Sequence, residues 1–298
     1  MSCWNLRELR AVYGGVSLTL IAYTALTQVT LLLVYLPYLL GDYELFFNDW
    51  YYYLSDAMVF YPAGFLIFGL MLRRLPAPQV AKSPTPQMGQ ILSCAITALG
   101  VLYWSSLFTD LLLAQTETVD YANEAIAQVP LLFALVSTVL VAPLCEELIF
   151  RRLMLDRLLF LGDWSALLIS SLFFALFHTN LYQFFYAFTV GLILGYVRII
   201  TGRVGWSILL HMFINFFCGV LPSYLPMEEW VDGLLGLVVM GSMAYSVVIL
   251  LTRRPWGQLY PGPLPVPGGE KARACLTSVT FWLCVAIHLG LSIYYIIP

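Results

Sequence analysis

The chain has 298 residues, of which 61% are hydrophobic and 10% charged, and its net charge is −3. Soluble proteins carry about 25% charged residues, and a mean hydropathy of +0.84 excludes a soluble globular enzyme, a disordered chain and a nucleic-acid-binding domain. The solvent such a chain requires is a lipid bilayer.

Nine apolar runs follow along the chain, at residues 13–40, 54–72, 89–113, 129–160, 164–179, 184–199, 205–222, 232–252 and 275–296. A spanning helix needs about 20 largely apolar residues, so the sequence predicts an all-α, polytopic integral membrane protein with about eight or nine transmembrane helices. Arg7 and Arg10 precede the first run as they would in a signal peptide. That run is too long for a signal segment and no small-residue cleavage site follows, so it reads as an uncleaved anchor.

Charge alternates between the connecting segments. Basic residues fall at Arg7/Arg10, Arg73/Arg74/Lys82, Arg151/Arg152/Arg157, Arg198/Arg203 and Arg253/Arg254/Lys271/Arg273. Acidic residues without basic neighbours fall at Asp42/Glu44/Asp49, Asp110/Glu117/Asp120/Glu124 and Glu228/Glu229/Asp232. The positive-inside rule then places the N-terminus in the cytoplasm of a multi-pass cell-membrane protein. With nine spans the C-terminus lies outside. Two connecting segments, 75–88 and 255–269, are dense in proline and read as linkers. Three regions result: N-terminal transmembrane helices over 1–128, a catalytic core over 129–222, and C-terminal helices with the Pro/Gly-rich loop over 223–298.

Ionisable residues inside a membrane segment are costly and mark function by default. They gather in three of the runs. The fourth holds Glu146, Glu147, Arg151 and Arg152, the fifth Phe174, His178 and Asn180, and the seventh His211 and Asn215. Two of the chain's three histidines are therefore here. Glu147 and Arg151 stand four apart with the acid first, the favourable order for an ion pair on one helix. Glu146 has only Ile149 and Phe150 at the equivalent positions. Phe174 and His178 share one helix face, as do His211 and Asn215, so three faces can converge on a polar cavity among helices four to seven.

That inventory suits hydrolysis. A carboxylate paired with an imidazole can draw a proton from water, and an imidazole with an amide N–H can stabilise an oxyanion. The same groups, with Glu146, His178 and His211 as ligands, could hold a divalent metal such as zinc. The H-E-x-x-H arrangement of zinc peptidases is absent, and the cysteines (Cys3, Cys94, Cys145, Cys218, Cys275 and Cys284) form no C-x-x-C pair.

The series Glu146-Glu147-x-x-x-Arg151, Phe174-x-x-x-His178 and His211-x-x-x-Asn215 resembles the three motifs of the CPBP intramembrane proteases. That group includes the type II CAAX prenyl endopeptidases and the bacterial Abi proteins. The segment GLILGYVRIITGRVGWSILLH, leading into the third motif, is similar to bacterial members. The resemblance covers about residues 129–222. It implies a glutamate-type endopeptidase acting without a metal. Glu146 and His178 would activate water, His211 and Asn215 would stabilise the oxyanion, and Glu147, Arg151 and Phe174 would support them. The implied partners are the bilayer and a membrane-tethered peptide or protein, such as a prenylated CAAX-type substrate. Two rival readings of the same residues stay open: a non-catalytic immunity or partner-binding protein of this fold, and a proton-coupled transporter.

One expectation conflicts with this picture. At 1.5 Å per residue, His211 lies about 9 Å above the cytoplasmic end of its run and His178 about 20 Å up its own. For the two to meet, either the fifth helix is shifted or the turn after it is buried.

Overall fold

A computed structural model describes residues 4–46, 49–76, 87–116, 126, 128–226, 228–252 and 259–295. Among the described residues all regular structure is helical. The principal helices are α1 (Leu6–Val34), α2 (Asp49–Leu72), α3 (Met88–Leu113), α4 (Leu131–Leu161), α5 (Asp163–Phe177), α6 (Leu181–Thr201), α7 (Val204–Tyr224), α8 (Glu229–Thr252), α9 (Gly268–Leu276) and α10 (Val279–Tyr294).

Two compact units divide the chain. The first comprises Met1–Pro76 and Pro265–Ile287. Its α1 starts at a reciprocal cap: the Asn5 side chain accepts from the Glu8 backbone N–H, and Glu8 accepts from that of Asn5. Both satisfy donors that a helix start otherwise leaves unpaired. The α1 and α2 helices meet through Tyr23, whose ring stands edge-on to Phe68 at 5.8 Å and whose hydroxyl donates to the Phe60 carbonyl.

The second unit comprises Ala77–Leu264 and His288–Pro298. Here α3 packs on both α6 and α8, and α5 packs on α6. The α6 helix is framed by its sequence. The Asn180 side chain caps its start by accepting from the Tyr182 N–H, and Gly202 ends it at φ 63°, the left-handed conformation that glycine adopts without penalty. Residues 77–86 of the first proline-rich segment lie outside the described residues, as do 255–258 of the second. Residues 260–262 of the second segment dock on the α4–α5 corner. The Tyr260 N–H donates to Asp163 Oδ2 at 2.7 Å, and the Asp163 N–H donates to the Tyr260 carbonyl at 2.9 Å. The approach is close enough to require glycine: a Cβ on Gly162, at φ +104°, would stand 2.2 Å from the Pro261 carbonyl oxygen.

Among the described residues six helices (α1, α3, α4, α6, α7 and α8) are long and apolar enough to cross a membrane, or seven spans if α9 and α10, bent by 62° at their junction, are one. That is fewer than the eight or nine expected. The difference has a geometric cause. The α5 helix has 15 residues, which at 1.5 Å each makes about 22 Å, short of the roughly 30 Å hydrocarbon core. The described apolar part of α2, Phe60–Leu72, is also short. Arg198, grouped with Arg203 among the topology charges, lies inside α6, is 3% exposed, and is ion-paired at 2.7 Å with Asp156.

Candidate active site

The α4 helix is not uniformly wound. It runs as a π-helix over Leu135–Val141, tightens to an α-turn over Ala142–Glu147, and widens again over Leu148–Leu155. Such π segments occur disproportionately at functional sites. Glu146 and Glu147 end the α-wound turn between them, and both are buried.

The Glu147–Arg151 pair forms as its spacing predicts, with Arg151 Nε donating to Glu147 Oε2 at 3.1 Å and both side chains wholly inaccessible. The other carboxylate oxygen, Oε1, lies 3.1 Å from His211 Nδ1 on α7. A carboxylate already facing an arginine accepts, so the imidazole donates through Nδ1 and its Nε2 is left to face the other way. There it meets Glu146, with His211 Nε2 and Glu146 Oε2 3.9 Å apart. That separation exceeds a hydrogen bond but allows a water to one side, within about 2.8 Å of both atoms.

Phe174 of α5 is the hub on which these groups pack. Its ring is edge-on to His178 at 4.9 Å and to His211 at 5.7 Å, and the Arg151 guanidinium lies over it at 4.9 Å. Gly191 of α6 admits the ring: a Cβ there would stand 3.3 Å from Phe174 Cδ1. The two histidines therefore reach the same site, which resolves the depth conflict in favour of the fifth helix. Being short, α5 ends beside α7. His178 is the residue at which it stops, and Thr179 after it holds φ +44°, a left-handed conformation that costs a non-glycine residue energy.

His178 Nδ1 lies 2.8 Å from the Phe174 carbonyl oxygen. A carbonyl only accepts, so this ring also donates through Nδ1. Among the described residues no hydrogen bond or ion pair joins His178 to Glu146; the imidazole that reaches Glu146 belongs to His211. The expected Glu146–His178 pairing is thus replaced, because the α5 face aims His178 at its own backbone. Asn215 begins a third π segment, Asn215–Val220, and its side-chain N–H₂ donates to the Thr138 carbonyl at 2.9 Å. One amide hydrogen is committed there and one is left.

Several participants carry no sequence signal strong enough to single them out. Ser170 accepts from Arg151 Nη1 at 2.9 Å and donates to the Phe150 carbonyl at 2.9 Å. Asp156 receives both Arg198 and, at 2.8 Å, Arg152; only the Arg152–Asp156 spacing of four hints at this. Among the described residues no three His, Cys, Asp or Glu side chains are placed to hold a metal ion.

Residues 128–217 match the family model of the type II CAAX prenyl endopeptidase Rce1-like proteins. No curated protein and no solved structure matches the chain. The matched stretch contains all three motifs and every side chain of the cluster just described.

Proposed function

We propose that this chain, whose residues 128–217 match the Rce1-like family model, is an intramembrane endopeptidase of the CPBP family and of the glutamate type. Its substrate is a protein or peptide held at the membrane by a lipid, such as a prenylated CAAX-type tail, or by a hydrophobic segment. The observation that supports this reading best is the 3.9 Å gap between Glu146 Oε2 and His211 Nε2, with His211 fixed from behind by Glu147.

Water held between those two atoms loses a proton to the pair, and its oxygen attacks the scissile carbonyl carbon. Charge then builds on the carbonyl oxygen. The Asn215 N–H not used by Thr138 is the donor available to it. The captured proton passes to the leaving nitrogen as the C–N bond breaks, so one water is divided between the new carboxyl and the new amine. Glu147 acts as the orienting acceptor behind a histidine, the third-member role in hydrolytic triads. His178, with Nδ1 committed to the Phe174 carbonyl, presents an acceptor nitrogen and is assigned to receive a substrate N–H.

The test compares new peptide termini in membranes containing wild type or Glu146→Gln at equal abundance. Termini that appear with wild type alone support the proposal and identify the substrate. Identical profiles from two folded proteins would overturn it in favour of a binding or immunity role.

A further inference from the structure

We propose that Ser170 is a positioning residue for this site, setting the aim and tautomer of His211 through Arg151 and Glu147; the inference rests on the function proposed above. Ser170 is fully buried on α5. Its hydroxyl has two tasks at one atom: it accepts from Arg151 Nη1 and donates to the Phe150 carbonyl, each at 2.9 Å. Phe150 immediately precedes Arg151, so the hydroxyl fastens the guanidinium to the backbone from which it grows.

Arg151 needs that fastening. Its Nη2 is buried without a hydrogen-bond partner. The directed contacts are therefore Nε with Glu147, Nη1 with Ser170, and the face of Phe174. Without the hydroxyl, Nη1 would join Nη2 as an unsatisfied buried donor, and the planar group would be free to turn about its one remaining ionic contact. The turn moves Glu147 Oε2, and with it Oε1, on which His211 Nδ1 depends.

The placement on α5 makes the linkage local. Ser170, Phe174 and His178 follow one another at intervals of four and share a helix face. One face thus carries the hydroxyl that holds Arg151, the ring that packs on both histidines, and His178 itself. The chain of contacts runs from the Phe150 carbonyl through Ser170, Arg151, Glu147 and His211 to the gap beside Glu146.

The chain's three histidines make the test direct. Protein labelled with ¹⁵N-histidine is compared in detergent micelles as wild type, Ser170→Ala and Ser170→Thr. Wild type is expected to show His211 as the Nδ1–H tautomer. Ser170→Ala should shift the His211 ring signals toward a mixture and lower kcat on the substrate found by terminal profiling on the order of tenfold. KM should stay within about twofold, as expected when positioning for the transition state is lost. Ser170→Thr, which keeps the hydroxyl, should recover the wild-type spectrum. A folded Ser170→Ala protein with an unchanged His211 spectrum would overturn the inference, even if its stability fell, because that is the signature of a merely structural hydroxyl. The spectra decide the point whether or not the wild type cleaves a peptide, so failure of the protease reading is read separately.

Discussion

Glu147 and His211, 64 residues apart in the chain, meet at 3.1 Å inside the helix bundle. The same carboxylate holds Arg151 on its second oxygen. One side chain thus ties the first motif to the third and sends His211 Nε2 toward Glu146. Glu146 and Glu147 are consecutive, yet the geometry gives them opposite duties, one at the open gap and one sealed behind the imidazole.

That division separates their substitutions. Glu146→Gln keeps volume and removes only the base, so proteolysis should fall by at least about 100-fold with thermal unfolding in detergent little changed. Equal losses of activity and stability would remove Glu146 from the chemistry.

Glu147→Gln acts differently. It leaves the Arg151 guanidinium buried without its counter-charge, a loss that costs about 3–5 kcal/mol when one partner of a buried pair is removed. The variant should unfold at lower temperature or denaturant than Glu146→Gln, and calorimetry of the two in one detergent is the comparison to make.

Asp156 and Arg198 form the second buried pair, and nothing places them in the reaction. Asp156→Asn should destabilise by about 3 kcal/mol. Adding Arg198→Met should recover much of the loss, because removing both charges is far cheaper than stranding one. A double-mutant cycle on unfolding free energy measures the coupling; additive losses would refute a direct interaction.

The docked proline-rich segment offers a third separation of structure from chemistry. Gly162→Ala places a methyl group against the Pro261 carbonyl and forces alanine into φ +104°. The segment at 259–262 should detach, and limited proteolysis should cut there in the variant sooner than in wild type. Equal cutting rates would mean that the contact does not hold the segment.

Cleavage should also survive a chelator, since the donor set around Glu146 lacks three convergent ligands among the described residues. Activity lost to EDTA and restored by zinc alone would replace the water-activating pair with a metal.

Much of the site could be read without coordinates where the relevant physics was local. The Glu147–Arg151 pair follows from four-residue spacing, and the shared faces of Phe174 with His178 follow from helical periodicity. Contacts between helices were not legible in the same way. No spacing rule relates residue 147 to residue 211, so the sequence does not show which imidazole faces Glu146. Ser170 was lost among the other small residues of an apolar run. The Arg198–Asp156 pair is invisible to rules for topology, which tally charges without knowing their partners. The helix count failed for a related reason: hydropathy registers that α5 is apolar, but its length depends on where the chain turns, and Thr179 turns it early.

The early turn also bears on the surrounding lipid. With α5 ending after 15 residues, the N–H groups of His178 and Thr179 bond back to the Ala175 and Leu176 carbonyls, and the Asn180 carbonyl accepts from Gln183 and Phe184, so the turn meets its own hydrogen-bonding needs inside the membrane layer. A segment shorter than the hydrocarbon core is accommodated by local thinning or by snorkelling of its flanks, at a cost of fractions of a kcal/mol per Å. For the hydrolysis proposed above, which consumes one water, a helix of about 22 Å where the core is about 30 Å would shorten the path from bulk water to the Glu146 gap.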